Sequence, residues 1–147
     1  MFDRVKNIFK SEKSVLHEVF ISYSTLDKEW ADDVCNVLES NGFKCWIAPR
    51  DLVPGENYVE AIFEAIKSAK VLVVVFSRHS NESKYVVHEV SAAFDHHVKV
   101  IPLKIDDSMP SDKMEFFLSR IMWIDAYHDK ANAFELLVDA IRRLLRD

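Results

Sequence analysis

Val71-Leu72-Val73-Val74-Val75-Phe76 is the longest unbroken apolar run of the chain. Its length suits a strand and falls far short of the roughly 20 residues of a membrane span. Successive strand residues point to opposite faces, so a run without a polar position is covered on both sides. That is the signature of a central strand in a parallel sheet sandwiched between helices.

The flanking sequence supplies the rest of such a fold. Upstream, Val59, Ile62, Phe63 and Ile66 recur at helical spacing, and Phe43 to Ile47 reads as a strand. Before them, Trp30, Val34, Val37 and Leu38 mark a helix that Asn41-Gly42 stops, with Ser24 and Asp27 spaced as a capping box. Val19-Phe20-Ile21 is a first strand, ending at Ser22-Tyr23-Ser24. Downstream, a helix over Lys84 to His97 turns Val86, Val90, Ala93 and Phe94 inward. Strands over Val98–Ile105 and Ile121–Ile124 follow, and Phe134, Leu137, Val138, Ile141 and Leu144 face inward from a closing helix. Strictly alternating strands and helices with right-handed crossovers predict an α/β fold, a doubly wound five-stranded parallel sheet flanked by helices. Ligands of such sheets bind beyond the carboxyl ends of the strands, at the topological switch point. The segments there are 22–27, 48–55 and 77–84.

At 147 residues one domain is expected, over 17–147. Residues 1–16 stand apart: Phe2, Val5, Ile8 and Phe9 at helical spacing, interleaved with Arg4, Lys6, Lys10 and Lys13, read as an amphipathic segment or a linker. A net charge of -5 argues against nucleic acid, whose phosphates call for a basic face. No integral membrane segment and no signal peptide are read from the sequence, and Cys35 and Cys45 read as small buried residues of a protein in the reducing cytoplasm. Two glycines cannot build a phosphate cradle, and neither usual nucleotide fingerprint follows the first strand. No metal site is expected: His96 and His97 are adjacent on a helix and diverge by about 100°. The first strand ends in Ser-Tyr-Ser, without the acidic cluster that phosphoacceptor chemistry requires.

Three motifs then stand in order. Phe20-Ile21-Ser22-Tyr23-Ser24 with Asp27 resembles the first box of TIR (Toll/interleukin-1 receptor/resistance protein) domains, in the style of the prokaryotic stand-alone branch. Cys45-Trp46-Ile47-Ala48-Pro49-Arg50-Asp51, followed by Gly55, resembles the second box with its "BB loop". Ser77-x-x-Ser80 and Tyr85-x-x-x-Glu89 are similar to the segment that holds the family's catalytic glutamate.

The resemblance implies two activities of different kinds. Some TIR domains cleave NAD⁺ between nicotinamide and ribose, giving ADP-ribose or a cyclic isomer, with NAD⁺ a consumed substrate and no resident cofactor. Others only assemble with further TIR protomers, in immune, antiviral or cell-death signalling. Glu89 is the catalytic candidate. Nicotinamide is cationic on nitrogen and departs neutral, so a single carboxylate that stabilises an oxocarbenium-like ribose suffices, without the second carboxyl of ordinary glycosidases. Phe20, Ser22, Tyr23, Ser24, Asp27, Trp46, Arg50, Ser77, Ser80 and Tyr85 are the substrate-binding candidates. Trp46 and Tyr23 offer flat surfaces for the rings or pack in the core, and Arg50 reaches the diphosphate or a neighbouring protomer. Ser24 and Ser80 border the pocket or cap helices. Tyr85 stands where many catalytic members carry Trp. Pro49, Arg50, Asp51, Pro54 and Gly55 form the loop through which protomers are expected to assemble.

Overall fold

The computed structural model describes residues 17–146. The amphipathic segment expected over 1–16 lies outside the described residues, as does Asp147. Five strands, β1 (Val19–Ser22), β2 (Cys45–Trp46), β3 (Val71–Phe76), β4 (Lys99–Lys104) and β5 (Ile124–Asp125), form one parallel sheet in the order β2-β1-β3-β4-β5. Among the described residues six α-helices connect and cover them: α1 (Lys28–Ser40), α2 (Tyr58–Ser68), α3 (Arg78–Glu82), α4 (Lys84–Asp95), α5 (Asp112–Leu118) and α6 (Lys130–Arg146).

β3 is fully buried, and its residues divide alternately between two cores. Val71, Val73 and Val75 join α1 and α6 through Val34, Leu38, Leu137 and Ile141. Leu72, Val74 and Phe76 join α2, α4 and α5 through Ile66, Val86, Val90, Met114 and Leu118. The chain reverses its winding between β1 and β3, which places the switch point between Ser22 and the residues that follow Phe76.

Several boundaries differ from those read in the sequence. β2 has two residues rather than five, because the Ile47 amide bonds to the Asp51 carboxylate at 2.9 Å instead of continuing the ladder. β5 begins at Ile124 because the preceding residues cover the core: Trp123 sits edge-on to Phe76 at 4.8 Å and donates from Nε1 to Leu118 O. α4 ends at Asp95, with His97 in the left-handed region at φ 58°. Phe94 is not inward but partly exposed against Phe117, and Val59 and Phe63 are exposed on α2, whose buried face is Ala65 and Ile66. Asn41-Gly42 ends α1 as expected, with Gly42 at φ +88°. The short α3 and α5 carried no periodic signal.

Candidate active site at the β1–β3 switch

β1 ends at Ser22, a buried residue whose Oγ donates to Glu89 Oε1 at 2.7 Å. Glu89 lies one turn into α4, between Val86 and Val90, which belong to the same apolar cluster as Phe20 and Trp46. That surrounding removes water from the carboxyl group and pushes it up to about 7, against the opposing pull of the Ser22 hydroxyl. A glutamate at that value takes up and releases a proton near neutrality, an unusual property that singles it out from the solvated glutamates of the surface.

Tyr23 follows Ser22 directly. Its hydroxyl donates to Ala48 O, tying the first strand end to the second loop. Burial raises the phenol above its ordinary value, against the opposing pull of the Lys28 charge. Behind them Asp27 accepts from Ser77 Oγ, both residues being buried. Ser77 also accepts from the amides of His79 and Ser80, while Ser80 Oγ accepts from the Ser77 amide at 2.8 Å. The reciprocal capping box is therefore Ser77/Ser80, at the start of α3, and not Ser24/Asp27. Ser24 caps only a short 3₁₀ turn through the Leu26 amide. Asp27 is drawn away from that turn because Ser77, at the end of the neighbouring strand, presents a hydroxyl to it.

Tyr85, one turn before Glu89, is 68% exposed. Tyr58, at the start of α2, lies beside its hydroxyl, which raises the Tyr58 phenol above its ordinary value. Tyr85 thus presents an exposed ring one turn before the carboxylate. Tyr58 was not among the sequence candidates: its only signal is its place in the first turn of a helix that Asn57 caps.

Three candidates, Phe20, Trp46 and Arg50, are placed elsewhere. Trp46 lies flat on Phe20, with centroids 5.1 Å apart and planes within 8°, and is buried. Both rings are core packing that backs the site. The Arg50 guanidinium is bound to both Glu39 oxygens at 2.8 and 2.9 Å, to Asp51 and to the Cys45 carbonyl. It lines a groove along the free edge of β2 with Asp51 and Glu39; Glu89 does not line that groove. In the loop, Pro49 follows a cis peptide, Gly55 has φ +94° and Val53 is exposed beside Pro54.

The arrangement defines a flavodoxin-like α/β domain with a hydrogen-bonded, desolvated carboxylate at its switch point. A sequence model of the family described as TIR domain matches residues 19–138, and the chain belongs to that family. It is 31% identical over 106 residues to a stimulator of interferon genes protein of Magallana gigas, covering 65% of this chain and 26% of that protein. It is 28% identical over 138 residues to Toll-like receptor 13 of Mus musculus, covering 82% of this chain and 14% of the receptor. The chain thus spans about a quarter or less of the length of these relatives. Among solved structures, the TIR domain of the Toll-related receptor TRR-2 from Hydra magnipapillata superposes with a TM-score of 0.74 at 25% identity, over 86% of this chain and 98% of that domain. Among the described residues no helix is long and apolar enough to cross a membrane.

Proposed function

We propose that this TIR domain is an NAD⁺ glycohydrolase or cyclase that breaks the nicotinamide–ribose bond and releases nicotinamide with ADP-ribose or a cyclic isomer. The observation that carries the reading is the Ser22–Glu89 pair: a desolvated carboxyl group held by a buried hydroxyl at the carboxyl end of the switch-point strand. Ionised, Glu89 supplies the fixed negative charge that a positive ribose needs as neutral nicotinamide leaves. The cationic nicotinamide ring of the incoming substrate favours that ionised form. Tyr85 and Tyr58 supply exposed rings for stacking. Such an activity suits a cytoplasmic protein that depletes NAD⁺ or makes a nucleotide signal in immune, antiviral or cell-death responses.

Nicotinamide release from NAD⁺ at high protein concentration, with Glu89→Gln alongside and the products separated by chromatography, tests the reading. Release by the wild type alone is expected. No release from a sample whose assembly is verified by light scattering would overturn it.

A second reading, a non-enzymatic scaffold acting through TIR–TIR contacts, is favoured by the positions of Trp46 and Arg50. Neither opens toward Glu89, while the loop that carries Arg50 presents exposed Val53. Under the enzymatic reading the same loop assembles protomers through Pro49, Arg50, Asp51, Pro54 and Gly55. Activity per protomer then falls on dilution.

A further inference from the structure

Cys35 on α1 and Cys45 on β2 are 4% and 6% exposed, and both are free thiols. Their sulfurs and a carboxylate oxygen of Glu39 all lie within 4.8 Å of one another. Arg50 Nη1 points at the Cys35 sulfur from 3.6 Å, and Arg50 Nη2 bonds to the Cys45 carbonyl at 3.0 Å. Cys45, Glu39 and Arg50 together line the open groove along the β2 edge, so small solutes approach from the Cys45 side, while Cys35 does not line it. A divalent metal is poorly served there, because the third potential ligand, Glu39, already has both oxygens on the Arg50 guanidinium.

We propose that Cys35 and Cys45 are a redox modification site, forming a reversible disulfide behind Arg50 when the protein meets a peroxide. The two thiols are unequal. The neighbouring Cys45 thiol, with help from the Arg50 charge, holds Cys35 below the ordinary thiol range, whereas the same neighbour and burial push Cys45 up. With the Arg50 guanidinium 3.6 Å from its sulfur, Cys35 is the attacking thiolate and Cys45 the resolving thiol. The Cys35 thiolate attacks one oxygen of hydrogen peroxide and breaks the O–O bond, leaving a sulfenic acid on Cys35 and one water after protonation. The Cys45 thiol then attacks the Cys35 sulfur, expels hydroxide that takes up the Cys45 proton, and closes the S–S bond. Two thiols and one peroxide become one disulfide and two waters. Closing from within 4.8 Å to the S–S length of about 2 Å requires side-chain rotation and local adjustment of β2. Oxidation removes the thiol that faces Arg50 Nη1, so the loop that begins at Ala48 loses one of its anchors. This holds whether the domain is an enzyme or a scaffold.

The test treats the full chain with hydrogen peroxide, blocks remaining thiols with an alkylating agent, and maps peptides by mass spectrometry without reduction. Expected is a Cys35–Cys45 cross-linked peptide, a mass lower by two hydrogens, and return of both alkylation sites after a dithiol reductant. Cys35→Ser leaves Cys45 unoxidised, whereas Cys45→Ser stops at sulfenic acid on Cys35. If either variant fails to fold, the wild-type peptide map decides alone. Both cysteines remaining alkylatable under excess peroxide, oxidation of either to sulfinic acid without a cross-link, or stoichiometric zinc in the purified protein would overturn the proposal.

Discussion

Ser22 and Glu89 lie 67 residues apart in sequence and meet through a 2.7 Å hydrogen bond, with Ser22 Oγ as donor and Glu89 Oε1 as acceptor. The bond stabilises the ionised carboxylate, while the apolar surroundings stabilise its protonated form, and desolvation is the larger effect. The site is thus set by two opposed forces that single substitutions can separate.

Removing the hydroxyl leaves desolvation unopposed. Ser22→Ala is expected to shift the rising limb of the kcat/KM profile for nicotinamide release from about pH 7 upward by about one pH unit, the worth of a hydrogen bond to a charged group. Activity rises with pH because the ionised form is the active one. At a pH well above the limb, the variant approaches the wild-type rate more closely than at neutrality. A profile whose limb stays in place after Ser22→Ala would remove Ser22 from the electrostatics of the site.

The same carboxyl makes folding pH-dependent. Its folded value lies above that of the unfolded chain, so between about 4.5 and 7 the folded state keeps a proton that the unfolded state has released. The number of protons bound by the unfolded state minus that of the folded state is then negative, and stability falls as pH rises through this window. Glu89→Gln removes the titration. Expected is a variant without turnover that is more stable than wild type at pH 8, by up to about 3 kcal/mol, and nearly equal to it at pH 4. Urea unfolding at the two pH values reads the difference.

Asp27 and Ser77 are buried partners, and no buried side-chain polar atom among the described residues lacks one. Asp27→Ala strips the Ser77 hydroxyl of its acceptor without admitting water. Destabilisation of about 1–3 kcal/mol in chemical denaturation is expected, with a smaller loss for the pair Asp27→Ala/Ser77→Ala than the sum of the singles.

Arg50 presents its fork to Glu39 in parallel, but both side chains are more than a third exposed. Water screens such a pair, so a double-mutant cycle of Arg50→Ala and Glu39→Ala is expected to give a coupling below about 1 kcal/mol. Any larger effect of Arg50→Ala then belongs to the loop it pins, and is read as altered dependence of activity on protein concentration rather than as lost stability.

The sheet was legible because β3 is apolar at every position and its neighbours obey helical spacing. Patterns of burial carry such information, and patterns of hydrogen bonding do not. The strand expected over Phe43 to Ile47 is only two residues long because Asp51, four residues on from Ile47, takes the amide that the ladder would use. The capping box expected at Ser24/Asp27 and found at Ser77/Ser80 shows the same limit: each serine has capping chemistry, and only the fold decides which hydroxyl meets which amide. Glu89 stands out through a family motif, not through periodicity, and its desolvation arises only when α4 packs on the sheet. Trp46 and Arg50 sat in the right motif, but the side chains turn to Phe20 and Glu39.

Tyr85 provides the sharpest test of whether the exposed ring one turn before Glu89 handles substrate. Its side chain is 68% exposed, so truncation leaves no cavity and little change in stability is expected. Under the enzymatic reading, Tyr85→Ala loses a stacking surface worth about 1–3 kcal/mol, a roughly tenfold or greater fall in kcat/KM for NAD⁺. Tyr85→Trp restores or exceeds the wild-type value, because the larger ring keeps the stacking face and gives up only the hydroxyl that meets Tyr58. Tyr85→Phe separates these parts: it keeps the face and loses the hydroxyl pair. A Phe variant equal to wild type assigns the role to the ring, and one as poor as Ala assigns it to the Tyr58 contact. If Ala, Phe and Trp all turn over NAD⁺ like wild type, the ring has no part in binding substrate.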